Sequence, residues 1–229
     1  MTDTKTIAAP QQKRSQATLE RLLDATVRAL DEHGLDGAVI PRIAALAEVA
    51  PASIYRRFAN KDALIRAALL HVLQQSQTTN RAALADALHG PTLAASADAL
   101  MGLMFRQHRQ HPGLVRALAR FIDADTDQDF VATARAIMSG NLELLVQCLL
   151  VHSAQIRHPA PERALRFAVL QAITSIEAVV LEPTSLWHSV LPMSADVSWK
   201  LRGLAIPRLC RLGVKPTPCP FSTRRRCRA

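Results

Sequence analysis

The chain has 229 residues, of which 49% are hydrophobic and only 4% aromatic, and a formal net charge of +9. That length suits one or two domains with a real core, and an apolar share made mostly of Ala and Leu favours helix over strand. No run approaches the eighteen or so apolar residues that span a bilayer. No apolar signal segment opens the sequence, and Cys148, Cys210, Cys219 and Cys227 have neither metal nor redox spacing. The expectation is a cytoplasmic protein with reduced thiols.

The charge is uneven. Residues 1–75 carry 10 basic and 8 acidic side chains, residues 76–212 carry 13 and 11, and the last 17 residues carry 5 and none. Overall basicity is therefore largely a property of the tail, and any argument for a polyanionic partner rests on where cations sit locally.

Residues 1–15 are polar and read as a flexible arm, with Lys13 and Arg14 just ahead of the first helix. That helix is expected over Ala17 to Glu32, with Leu19, Leu22, Leu23, Thr26 and Leu30 on one face and His33-Gly34 closing it. Residues 43–61, IAALAEVAPASIYRRFANK, then read as a short apolar helix, a tight turn, a second short helix of about two turns, and the start of a longer one. In the first of these Ile43, Ala44 and Ala47 share a side, with Leu46 beside it. In the second Ile54 and Phe58, four apart, face inward, so Ser53, Tyr55, Arg56 and Arg57 point out. No acidic residue lies between Pro51 and Lys61. Two short helices joined by a tight turn form a helix-turn-helix, whose second helix fits a DNA major groove.

This run resembles the DNA-binding domain of the TetR family of bacterial transcription regulators. Ile43, Ala44, Ala47, Val49, Ser53, Ile54, Tyr55, Phe58, Lys61 and Leu64 meet the family pattern, and the resemblance covers about the first 75 residues. Three positions depart from it: Glu48 stands at the turn glycine, Ala50 at the capping serine of the second helix, and Val39 where a threonine precedes the first. The matching positions imply base-edge or mixed contacts for Ser53, Tyr55 and Arg56 and phosphate contacts for Arg57 and Lys61.

Beyond this segment Asn60 is a good N-cap for a helix expected to run to about Gln77. Further helices are expected at about 80–88, 92–109, 112–122, 127–153, 161–182 and 195–211, separated by Gly and Pro breaks such as Gly90-Pro91 and Pro112-Gly113. The closing segment GVKPTPCPFSTRRRCRA is Pro- and Arg-rich and reads as disordered.

Asp123, Asp125, Asp127 and Asp129 alternate like a calcium loop but lack its Gly and Glu at the sixth and twelfth positions, where Gln128 and Ala134 stand. Capping of the helix that follows explains them better. His108 and His111 lie at a helix end. No phosphate-cradling Gly loop, HExxH or nucleophile elbow is present, so neither catalytic residues, a metal nor a cofactor is expected.

The expectation is an all-α protein: an arm at 1–15, a helix-turn-helix domain at 16–60, a connecting helix at 61–77, a helical effector-binding and dimerisation domain at 78–212, and a basic tail at 213–229. The resemblance implies a ligand-responsive homodimeric repressor whose partners are a double-stranded DNA operator and a small-molecule effector. Dimer contacts are expected from 161–182 and 195–211, and an effector pocket near Met101, Met104, Phe105, Phe121, Phe130, Met138 and Trp187. Two alternatives are a small-molecule-binding helical protein with degenerate DNA recognition and a helical enzyme.

Overall fold

Helix follows helix wherever Gly and Pro allow it. The structure, a computed structural model, describes residues 8–87 and 90–181. The described elements are α1 (Ala8–Gly37), α2 (Ile40–Leu46), α3 (Pro51–Tyr55), α4 (Lys61–Ala87), α5 (Leu93–Gln110), α6 (Pro112–Ala124), α7 (Gln128–Leu150), a 3-10 turn (Ser153–Gln155) and α8 (Pro161–Val180), with no strand among them. The expected helix at 195–211, Trp187, the tail at 213–229 and the cysteines after Cys148 lie outside the described residues.

Three local expectations change. Helix α1 starts at Ala8, inside the segment read as an arm, so Lys13 and Arg14 lie on the helix rather than ahead of it. Pro10 sits in the first turn, where its missing N–H costs nothing. Gly34, at φ 65°, kinks the chain where closure is expected. Second, α4 continues through residue 78 to Ala87, so the polar run around Thr78 and Thr79 is not a break; the segment holds no Gly or Pro. Third, α3 is only five residues long, and Arg56 and Arg57 form its closing turn.

The buried side chains fall into two clusters. The first joins α1, α2, α3 and the start of α4, through Leu22, Leu30, Ile43, Ile54, Leu64 and Leu69, to Leu114, Ala117 and Ile122 of α6 and Phe130 of α7. The second joins Leu84 of α4 to Leu100 and Met104 of α5, Leu149 of α7, and Leu165 and Ile176 of α8. A polar contact joins α4 to α5, where Gln107 Nε2 donates to Asn80 Oδ1 at 3.0 Å. Asn141 Oδ1 is buried with no hydrogen-bond partner among the described residues.

Two polar junctions fix the first cluster. Asp31 of α1 accepts from Leu114 N at 3.0 Å and from His111 Nδ1 at 2.7 Å, satisfying the first turn of α6. Gly113 makes this approach possible, since a Cβ there would stand 1.9 Å from the Asp31 carbonyl oxygen. Arg66 of α4 grips Asp125 with two hydrogen bonds of 2.8 Å and reaches Asp127 at 3.5 Å. The Asp125 side chain is 2% exposed. The Arg66 hydrogen bond holds its carboxyl below the usual carboxylate range, against the opposing pull of burial. Asp127 caps α7, accepting from Phe130 N at 3.0 Å, so capping accounts for part of the aspartate run.

The residues proposed from sequence as pocket-lining divide between the clusters. Met101, Met104 and Phe105 belong to the second, Phe130 is buried and Phe121 half-buried in the first, and Met138 is 43% exposed. Phe121 and Phe130 meet edge to face with centroids 5.8 Å apart.

Candidate nucleic-acid interface

Helix α2 is seated by Ile40, Ile43 and Ala44, and Ala47 is buried just beyond its end. The chain then turns by a pair of reversed bonds, Val49 N to Ala44 O at 3.0 Å and Glu48 N to Ala45 O at 3.2 Å. This is the pattern of a helix end closed by a left-handed residue. That residue is Glu48, at φ 55°, the one non-glycine with positive φ among the described residues. The angle expected at the missing glycine is thus retained, with a Cβ present.

Helix α3 starts at Ala50, which offers no side-chain cap, and relies on Pro51 in its first turn. Ile54 is fully buried, and Phe58 packs half-buried against the same cluster, so these two side chains set the roll of the helix. The opposite side faces solvent. Tyr55 is 58% exposed, Arg56 and Arg57 are exposed, and Ser53 is half-buried.

The five residues proposed from sequence as DNA contacts lie on α3, its closing turn and the first residue of α4, where Lys61 is half-buried, and they have different degrees of freedom. Arg56 Nη2 donates to Ser53 Oγ at 3.1 Å, so these two share one side of α3. Arg57 Nη2 donates to Ser15 Oγ of α1 at 3.0 Å. Lys61 Nζ donates to the Leu35 carbonyl at 2.8 Å, tying the start of α4 to the chain after the Gly34 kink. Asn60 caps α4 as expected, accepting from Ala63 N at 2.8 Å. An ammonium has three donors and a guanidinium five, so Lys61 and Arg57 keep donors free of these bonds. Sequence reasoning missed Ser15, which lies 42 residues from its partner with no local pattern to link them.

Elsewhere, His108 Nδ1 donates to the Met104 carbonyl at 2.8 Å, a helix-end role. No group of three metal-ligating side chains occurs among the described residues. Cys148 is a free, half-buried thiol whose pKa is pushed up by burial, the opposite of an activated thiolate. No described helix is long and apolar enough to cross a membrane.

Comparison with known proteins bears on the same segment. The family described as "Bacterial regulatory proteins, tetR family" matches residues 22–68. The HTH-type transcriptional regulator BetI of Burkholderia mallei (strain NCTC 10229) is 37% identical over 70 residues, covering 29% of this chain and 36% of that protein. The chain thus spans about a third of the length of the curated relatives it matches. Two solved structures are similar over most of the chain. FadR of Bacillus subtilis, in complex with stearoyl-CoA, has a TM-score of 0.60 at 17% identity, covering 82% of this chain and 97% of that one. A TetR family transcription regulator of Marinobacter aquaeolei VT8 has a TM-score of 0.56 at 20% identity, covering 84% and 95%. At such identities the likeness is one of fold, extending from the helix-turn-helix into the helical body. Residues 22–68 of the chain thus match the amino-terminal domain of the TetR family of bacterial regulatory proteins, and the rest shares the fold of the solved structures.

Proposed function

We propose that the protein is a ligand-responsive transcriptional regulator, a cytoplasmic homodimeric repressor that holds an operator through α3 and releases it when a small molecule binds the helical body. The observation that carries this reading is the roll of α3: Ile54 and Phe58 hold it by one side, leaving Tyr55, Arg56 and Arg57 outward with no acid between Pro51 and Lys61. Ser53, Tyr55 and Arg56 are assigned to base edges and Arg57 and Lys61 to phosphates. The effector's place in the body is supported by the fold shared with FadR, whose solved complex holds stearoyl-CoA. On α8, Phe167 and Leu170 are 56% and 47% exposed three residues apart, which supports a second copy as the partner of that face.

The test is a gel shift against the DNA upstream of the gene that encodes the protein, with sedimentation in parallel. A specific shift by a dimer is expected. Arg56→Ala is expected to relax preference at one base, by about 1–3 kcal/mol. Arg57→Ala and Lys61→Ala weaken all sequences alike and reduce the salt slope by about one unit each. Equal losses for all three on operator and random DNA would overturn the division of roles. A second reading, a small-molecule-binding protein with degenerate DNA recognition, is favoured by the uncapped five-residue α3 and the left-handed Glu48. Absence of any shift, with ligand binding retained, would select it.

A further inference from the structure

We propose that the DNA-contacting surface continues from the α3 turn onto the first turns of α1, where Lys13 and Arg14 take phosphates of the duplex. This rests on reading the helix-turn-helix as DNA-binding, and it adds a second element to that surface.

The first observation is that this part of α1 has no role in the core. Residues 13–17 are all exposed, and the packed face of α1 begins only with the half-buried Leu19 and the buried Leu22. A helical stretch without a buried face gains nothing from tertiary packing. The second is its link to the recognition turn through the bond from Arg57 to Ser15. From Ser15 the helix runs back seven residues to Ala8, about 10 Å at 1.5 Å per residue. The first turns of α1 are therefore joined to the turn that carries Arg57.

The third observation is charge. Residues 8–19 contain no acid, and neither do residues 49–61; these two acid-free segments meet at Ser15 and Arg57. The neighbouring polar side chains satisfy one another, Gln16 with Glu20 at 3.1 Å and Thr18 with the Arg14 carbonyl at 2.8 Å. Lys13 and Arg14 are exposed and form no ion pair among the described residues. With Arg56 and Arg57 they make four cations on the two segments that meet at Ser15 and Arg57. Such a group suits phosphates spaced along a strand and carries no base-reading geometry.

The experiment measures the affinity of the full chain for a random-sequence duplex as a function of salt. Wild type is compared with the double variant Lys13→Gln/Arg14→Gln and with Arg157→Gln/Arg163→Gln, which removes two exposed cations, one ahead of α8 and one in its first turn. The first pair is expected to lower the salt slope by about one to two units, at about 0.9 per phosphate released. The second is expected to leave the slope at the wild-type value. Ser15→Ala is expected to weaken binding about threefold and Ser15→Thr, which keeps the hydroxyl acceptor, to restore it. Each single variant, Lys13→Gln and Arg14→Gln, serves as a check, with unchanged circular dichroism showing that the fold is kept. An unchanged slope in Lys13→Gln/Arg14→Gln overturns this proposal alone, as do equal slopes in both double variants. A wild-type protein that binds no duplex overturns the DNA-binding reading beneath it.

Discussion

The two apolar clusters differ in what they join. The second, built on α5, the end of α7 and α8, is a bundle of elements from one stretch of the body. The first crosses the domain organisation expected from sequence: α6 and the start of α7 pack with the helix-turn-helix rather than with the body. The lesson is that a functional boundary near residue 61 or 77 is not a packing boundary. In physical terms, α6 packs on α1, which in turn seats α2 and through it α3, so a movement of α6 reaches the reading head through α1.

The strongest way to break this comparison is to weaken each cluster in turn. Ile43→Ala and Leu165→Ala each remove a fully buried aliphatic side chain, at a cost of about 2–5 kcal/mol. If the clusters are separate cooperative units, calorimetry resolves two transitions and each variant lowers only one. A single transition shifted alike by both would merge the clusters into one unit.

A narrower test addresses the seat of α6. Gly113→Ala forces a carbon against the Asp31 carbonyl, which the backbone must relieve by moving α6 away from α1. The expected loss is about 3 kcal/mol, confined to the first transition. No measurable change in melting temperature would show that α6 is loosely held.

Arg66→Leu strips the buried Asp125 carboxylate of its partner and is expected to cost about 2–4 kcal/mol at neutral pH. The pH dependence follows from the lowered carboxyl. A carboxyl whose pKa is lowered by folding contributes stability above its ordinary value near pH 4, and loses it as pH falls through the folded value. The offset between wild type and variant should therefore narrow as the pH falls below about 4, checked by denaturant titration at a series of acid pH values; an offset that does not change with pH would assign the effect to packing.

The smallest effects belong to the turn. Glu48→Gly removes the left-handed Cβ and Ala50→Ser adds a cap to α3; each is expected to stabilise by about 0.5–1 kcal/mol. A loss of stability from Glu48→Gly in thermal melts would show that the Glu side chain matters more than its backbone angle.

How much of this was legible in the sequence depended on range. The seats of α2 and α3 followed from Ile43, Ile54 and Phe58 because a helix face repeats within a few residues. The Asn60 cap and the missing cap at Ala50 were legible for the same reason. The continuity of α4 was not, because Gln77, Thr78 and Thr79 look like a break, whereas the helix is held by different neighbours on either side of them. Ser15 with Arg57, Lys61 with Leu35 and Asp31 with His111 could not be read at all. Each joins residues 26 or more positions apart, and nothing in the local pattern marks them. The split of Met101, Met104 and Phe105 from Phe121 and Phe130 was hidden likewise, since apolar residues at helical spacing do not say which cluster they fill.

The unbroken run of α4 makes it a beam. Its 27 residues extend about 40 Å, with one end at the Leu35 carbonyl beside α3 and the other inside the second cluster through Leu84. A beam of that length magnifies angle into distance: a tilt of about 5° at the body end swings the α3 end by roughly 3–4 Å. In the proposed dimer two such swings add or cancel against a helical repeat of about 34–36 Å, so a small rotation in the body is enough to take one reading head off the groove while the other stays seated.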